Sequence, residues 1–371
     1  MSGTIWEGLT GGAPVEPASD EDVKGAAGPR PVVWLLGKTG AGKSSLVRSL
    51  TGVGAAEIGN GFAPCTRTAH AFDFPQDRPV MQFLDTRGLG EVGYDPAEDL
   101  AQCEARSHAI LAVARLDDPV QGELCDALAA VRRRRPRTRV LVVHTAADQV
   151  PDAQARHRAQ AATQAALEAA AGGALPSVAL SLAPGAPDEA GLDRLVDLLG
   201  ETMPDVALLL ARRPTGEEAG FEALRPLVLW YAGAAGTSDV APLIGAVTVP
   251  GIQAAMLRAM GRRAGVDWTR RRMGEFAAAL GLGAALRYGG SYALRQAAKL
   301  IPGFGQTVGA AAAGTVSFAA TYALGRAAAY YLHRTAEGQE ISEEELRTLY
   351  RDAMTRARGA RRQAKADEEA Q

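Results

Sequence analysis

Lysine is nearly missing from this chain: Lys24, Lys38, Lys43, Lys299 and Lys365 are the whole set among 40 basic residues. So lopsided a preference for arginine, beside very abundant alanine, reads as base composition of the coding sequence rather than as chemistry. The basic residues are also outnumbered. A net charge of -2 removes any global basic field, and with it a composition-level reason to expect nucleic acid. Cysteine is as scarce: Cys65, Cys103 and Cys125 show neither CxxC nor framework spacing, which excludes a disulfide scaffold and suits a reducing compartment. The five histidines are scattered without ligand spacing, so no histidine-built metal centre is expected. The N-terminus has no basic region followed by an apolar run, so no signal peptide is expected.

What is present divides the 371 residues into parts of unequal character. Residues 1–29 are rich in Gly, Pro, Ala and acidic side chains and read as a disordered tail. Residues 30–205 alternate short apolar runs with helical stretches. Val32–Leu36, Val80–Leu84, Ile110–Val113, Val140–Val143 and Ser177–Leu180 are the buried-strand candidates. That alternation predicts an α/β domain with a largely parallel sheet covered by helices. Residues 206–335 are Ala/Gly/Leu-rich and read as an all-α domain broken at Pro226, Pro242, Pro250 and Pro302. Residues 336–371 form a charged C-terminal helix and tail, opened by Ser342 and Glu345 in a capping-box arrangement.

The strongest local signal follows the first strand. Gly37-Lys38-Thr39-Gly40-Ala41-Gly42-Lys43-Ser44 satisfies G-x-x-x-x-G-K-[ST] between a strand and a helix. Glycines there let backbone N–H groups approach phosphate oxygens, and the helix N-terminus adds partial positive charge. Lys43 is expected to reach the β- and γ-phosphates and the Ser44 hydroxyl to help hold Mg²⁺, with Ser45 closing the phosphate-contacting run. Asp85-Thr86-Arg87-Gly88 ends another strand as a D-x-x-G turn, placing Asp85 near the metal and the Gly88 amide near the γ-phosphate. Between them Thr66, with Thr68 in reserve, supplies a hydroxyl for the metal. Lys43, Thr66 and Gly88 are thus the catalytic candidates, and Ser44, Thr66 and Asp85 the metal candidates. Thr145-Ala146-Ala147-Asp148 is similar to the T-K-x-D form of a base-selecting motif, in which Asp148 accepts from guanine N1–H and the exocyclic amine. Ala146 departs from that pattern, because it has no stem to lay over a base. Ser181, after the last strand candidate, completes the base loop.

In order and spacing these motifs resemble the Era-like branch of small P-loop GTPases over about residues 31–203. The resemblance implies a G domain with a six-stranded mostly parallel sheet, GTP or GDP with Mg²⁺ as ligands, and slow hydrolysis coupled to switch movement. Such enzymes often carry a hydrophobic residue where Leu89 stands, so the water-orienting glutamine of Ras-type proteins is not available there. Gly40 stands where some relatives keep a potassium-recruiting asparagine. Residues 208–332, with Val240-Ala241-Pro242-Leu243-Ile244-Gly245 and Ile301-Pro302-Gly303-Phe304-Gly305, are similar to a helical domain that follows such G domains in a bacterial family, some members of which are membrane-associated.

Leu300–Leu324 carries no charge and is long enough to span a membrane, but its Pro, Gly and Ala content gives little transfer energy. A buried or peripheral hairpin is the favoured expectation. Gly305, Gly309, Ala313, Ser317, Thr321 and Gly325 form a seam of small residues, which indicates close helix packing and not location. Arg132-Arg133-Arg134-Arg135 before Pro136 is read as charge at a helix C-terminus. Two readings stay open. One is a cytoplasmic GTPase switch whose helical domain reports to a protein partner or to the inner face of the cell membrane. The other is a self-assembling, membrane-associated structural GTPase of dynamin-like behaviour. A homodimer fits either, and nucleic acid is not expected.

Overall fold

The computed structural model describes residues 15–27, 30–52, 62–64, 69–86, 89, 108–183, 188–202, 204–210, 220–238, 249–281 and 310–369. The chain divides into two compact units, one of Met1–Pro29 with Arg213–Gln363 and one of Arg30–Arg212 with Ala364–Gln371. The first described helix, α1 (Asp20–Ala26), therefore belongs with the later helices. For residues 15–27 this corrects the expectation of a disordered tail; residues 1–14 and 28–29 lie outside the described residues. Ser19 caps α1 by accepting from the Asp22 amide, and the Asp22 carboxylate returns the bond to Ser19, a complete capping box. Val15, Val23 and Ala26 are buried, which offsets the entropy of ordering an otherwise polar segment.

The sheet unit runs β1 (Val32–Leu36), α2 (Lys43–Thr51), β2 (Phe62–Pro64), β3 (Ala69–Phe74), β4 (Met81–Thr86), β5 (Ala109–Arg115), α3 (Gly122–Arg134), β6 (Arg139–Thr145), a 3-10 turn (Ala147–Gln149), α4 (Ala153–Ala171), β7 (Ser177–Ala179), α5 (Glu189–Thr202) and α6 (Pro204–Leu210). Strand order is β2-β3-β4-β1-β5-β6-β7. The β4, β1, β5, β6 and β7 strands pair in parallel, and β3 is antiparallel to β4. These six make the mostly parallel sheet that the motifs imply, and the three-residue β2 extends its β3 edge antiparallel.

The central strands are apolar on both faces, as a parallel sheet covered by helices requires; all five residues of β1 are buried. Trp34, Ile110 and Val142 meet Leu124, Leu128 and Val131 of α3 and Leu167 of α4 in one core. The arginine run acts at the end of α3. Arg132 donates to the carbonyls of Pro136 and Thr138 at 2.6 and 2.7 Å, satisfying acceptors just past the helix end.

The helical unit adds α7 (Arg225–Ser238), α8 (Val249–Ala264), α9 (Arg270–Ala279), α10 (Ala310–Ala336) and α11 (Glu343–Glu369). Pro226 and Pro250 fall at the second position of α7 and α8. They initiate helices, because a missing N–H costs nothing in a first turn. The small-residue seam is used where α7 meets α10. A Cβ on Gly325 would lie 2.4 Å from Val228 Cγ1, and one on Gly236 would lie 3.1 Å from the Gly314 carbonyl. Thr321 of the same seam accepts from Gln253 of α8 at 3.2 Å. Trp268, Phe276 and Tyr331 pack ring on ring, with Trp268 and Tyr331 stacked 5.5 Å apart. Tyr331 is pushed up to about 12, first by burial and then by the Glu275 charge. Ser342 caps α11 by accepting from the Glu345 amide, while the Glu345 carboxylate accepts from Tyr330 Oη at 2.8 Å. Among the described residues no helix is long and apolar enough to cross a membrane. Residues 300–309, and the seam positions Gly305 and Gly309, lie outside them.

Candidate functional site

The phosphate loop sits at the C-terminal end of β1 and closes onto α2. Two of its glycines have conformational reasons: Gly40 and Gly42 adopt φ of 75° and 95°, which a side chain would strain. Gly37 has a steric one, since a Cβ there would lie 2.5 Å from the Val113 carbonyl oxygen. Gly42 is also the N-cap of α2 and offers no side-chain cap, so the first-turn N–H groups are left for an anion. Ser44 is exposed in that turn and Ser45 half-buried; Thr39 and Gly40 are exposed on the loop.

Lys43 is 8% exposed and folds back over the loop, donating to the carbonyls of Gly37 at 2.9 Å and Lys38 at 3.2 Å. Its ammonium is 3.8 Å from Asp85 Oδ1. That carboxylate oxygen is buried and accepts no hydrogen bond. Burial pushes Asp85 up to about 6, against the pull of Lys43 and His70. An unsatisfied buried carboxylate oxygen at the end of β4, across the parallel pairing from β1, fits a divalent cation shared with phosphate and the Ser44 hydroxyl. Among the described residues no group of three or more His, Cys, Asp or Glu could hold a metal ion alone.

The loop after β6 is fastened to the phosphate loop. Thr145, at the end of β6, donates through Oγ1 to the Ala41 carbonyl at 2.7 Å and is buried. Ala146 then turns the chain with φ 58°, the single non-glycine residue of positive φ among the described residues. That turn presents Asp148 in the 3-10 segment. Ser181 donates to Asp148 Oδ1 at 2.7 Å, and Gln149 donates to the other oxygen. These bonds, the one from Ser181 foremost, hold the Asp148 carboxyl below its ordinary range. Asp148 and Ser181 are thus brought together, and Thr145 holds the loop that carries them. Thr66, Thr68, Arg87 and Gly88 lie outside the described residues.

Sequence reasoning missed two groups, one at the end of β5 and one on the loop after it. Asp118 pairs with Lys38 at 2.6 Å, and Lys38 also donates to the Val120 carbonyl, tying the phosphate loop to that segment. Arg115, the last residue of β5, is clasped by both carboxylate oxygens of Asp117 at 2.6 and 2.8 Å and donates to the Gly40 carbonyl at 3.4 Å. Neither carries a motif of its own. Leu89 is 4% exposed, lies in the sheet core and bridges in parallel with Lys38, so its side chain plays a packing role.

Residues 32–145 match the family model described as 50S ribosome-binding GTPase. This stretch is a P-loop GTPase domain. The match runs from the first residue of β1 to Thr145 and ends before Asp148 and Ser181. No curated protein matches the chain. Among solved structures, translation elongation factor SelB of Methanococcus maripaludis with the GTP analogue GppNHp is 15% identical over 47% of this chain and 34% of its own, at TM-score 0.34. The chain thus spans about a third of that factor's length. The small COPII coat GTPase SAR1 of Encephalitozoon cuniculi with GDP is 15% identical over 49% of this chain and 78% of its own, at TM-score 0.32.

Proposed function

We propose that this GTPase domain, of the Era-like kind, works as a guanine-nucleotide switch with slow hydrolysis, and that the helical unit couples its state to a protein partner or a membrane surface. The observation that carries the reading is the Asp148 carboxylate. It is kept ionised by Ser181 and Gln149 on a loop that Thr145 bonds to the phosphate loop. An ionised carboxylate accepts from the two donors on the guanine edge, and adenine presents no such pair; a site built on that bond loses several kcal/mol with the wrong base.

Lys43 supplies fixed positive charge for the phosphates, and Mg²⁺ held by Ser44, Asp85 and Thr66 supplies the rest when bound. Slow turnover is supported by the chain's own residues: Leu89 is packed in the core and Gly40 has no side chain to recruit a cation. Acceleration then requires a residue from elsewhere, in a partner or a second copy. Fluorescent GDP, GTP and ATP analogues titrated with Mg²⁺ into wild type and Asp148→Ala test the reading. Guanine-selective binding lost in the variant supports it, and equal binding of the adenine analogue refutes it. Turnover that rises steeply with protein concentration or anionic liposomes replaces the switch with the self-assembling alternative.

A further inference from the structure

The Thr145–Asp148 segment carries no cation of its own, and one stands beside it. Ala146 occupies the position at which the T-K-x-D pattern places a lysine, and its methyl group is too short to reach over a base. Arg115 pairs directly with Thr145 across the β5–β6 ladder, one residue before that gap. Its NH1 donates to the Gly40 carbonyl, and its charge acts on Asp148 across the same opening. Asp117 grips Nε and NH2 with one carboxylate oxygen each, a bidentate clamp that fixes the plane of the guanidinium. The side chain nevertheless remains 38% exposed.

We infer that Arg115 replaces the missing lysine: clamped by Asp117, it bonds the phosphate loop at Gly40 and presents its flat face as a platform for the purine base that Asp148 selects. The chemistry suits the task. A guanidinium stacks on aromatic faces and is more weakly hydrated than an ammonium, so it can lie against a base where a lysine would offer an aliphatic stem. The inference rests on the guanine-nucleotide reading above, and it adds that the lost lysine is compensated from β5 and the site is not degenerate.

The test compares GDP with pyrophosphate as ligands, because pyrophosphate has phosphates and no base. Arg115→Ala is expected to weaken GDP at least tenfold while pyrophosphate changes less than twofold, and Arg115→Lys to lie between. Ala146→Lys in the Arg115→Ala background is expected to recover most of the loss. The same substitution in the wild-type background is expected to add less than twofold, because the position is already served. Equal weakening of GDP and pyrophosphate would reduce Arg115 to a strut of the phosphate loop and overturn the inference. So would a tenfold gain from Ala146→Lys alone, a measurement that does not depend on the Arg115 variants folding. Wild type that binds no guanine nucleotide overturns the functional reading itself. Wild type that binds GDP, with Arg115→Ala binding it equally, overturns only this inference.

Discussion

Thr145 Oγ1 donates to the Ala41 carbonyl at 2.7 Å, so the residue that opens the loop carrying Asp148 is also a fastener of the phosphate loop. A buried hydroxyl bond of this kind contributes on the order of 1 kcal/mol, and its loss leaves the Ala41 carbonyl short of a partner. Thr145→Val is therefore expected to weaken GDP and GTP alike by roughly tenfold. The guanine-to-adenine ratio should stay as it was, because Asp148 is untouched. Isothermal titration with the two guanine nucleotides and ATP reads both quantities, and a change in the ratio would contradict the assignment.

Gly325 and Val228 are matched in the same sense. An added methyl on Gly325 meets both Val228 γ-carbons, at 2.4 and 2.7 Å. Gly325→Ala is expected to destabilise the helical unit by about 1–3 kcal/mol through overpacking. Val228→Ala in the same chain should return a good part of that loss. Thermal unfolding of the single and double variants decides it, and simple additivity of the two changes would exclude the contact as the cause.

His144 gives a pH dependence whose sign can be worked out. It lies buried in β6 with Nε2 2.9 Å from Gln164 Oε1, and burial holds it below the ordinary 6.5. The unfolded chain then binds a proton that the folded chain refuses. The contribution is fully present above about pH 6.5 and is lost as pH falls below it. His144→Gln keeps a hydrogen-bonding group without the titration. Hydrogen exchange of the β6 amides at about pH 7.5 and about pH 5.5 should show acid loosening in wild type and a flatter response in the variant.

Ser19 caps α1 with a reciprocal bond to Asp22. Removing such a cap costs on the order of 1 kcal/mol. Ser19→Ala should speed exchange of the Asp22 amide and the amides beside it while leaving nucleotide affinity unchanged. A shared slowing or quickening across α7 would mean that α1 and α7 open as one body.

The phosphate loop was legible because its glycines are spaced by what their backbones must do, and β1 announces it with an unbroken apolar run. The neighbouring β3 was not recognised. Phe72 is buried while His70, two positions away on the same face, is exposed, so neither an apolar run nor a regular alternation marks the strand. Pro226 and Pro250 were visible as boundaries, yet which side of the boundary held the helix depends on first-turn geometry. In the first 29 residues, average composition concealed Ser19, Asp22, Val23 and Ala26, four residues that suffice for a capped, docked helix of about two turns. Arg115 left no trace in the sequence, because its partners arise from strand pairing and a loop crossing that no local pattern encodes.

The segment carrying α1 precedes the GTPase domain in the chain but completes a unit whose remaining helices follow it. Tyr231 donates to Asp20, Thr237 to the Ala26 carbonyl, and the Ala18 amide to the Gly251 carbonyl. The helical unit is thus split in the gene, with the GTPase domain nested inside it. During synthesis residues 30–212 emerge together while α1 still waits for partners nearly two hundred residues downstream. A chain cut after the sheet unit would strand α1 without its packing surface, whereas excising residues 1–29 would strip a buried edge from helices made much later. The earliest helix of the described chain is thus among the last to meet its full set of partners.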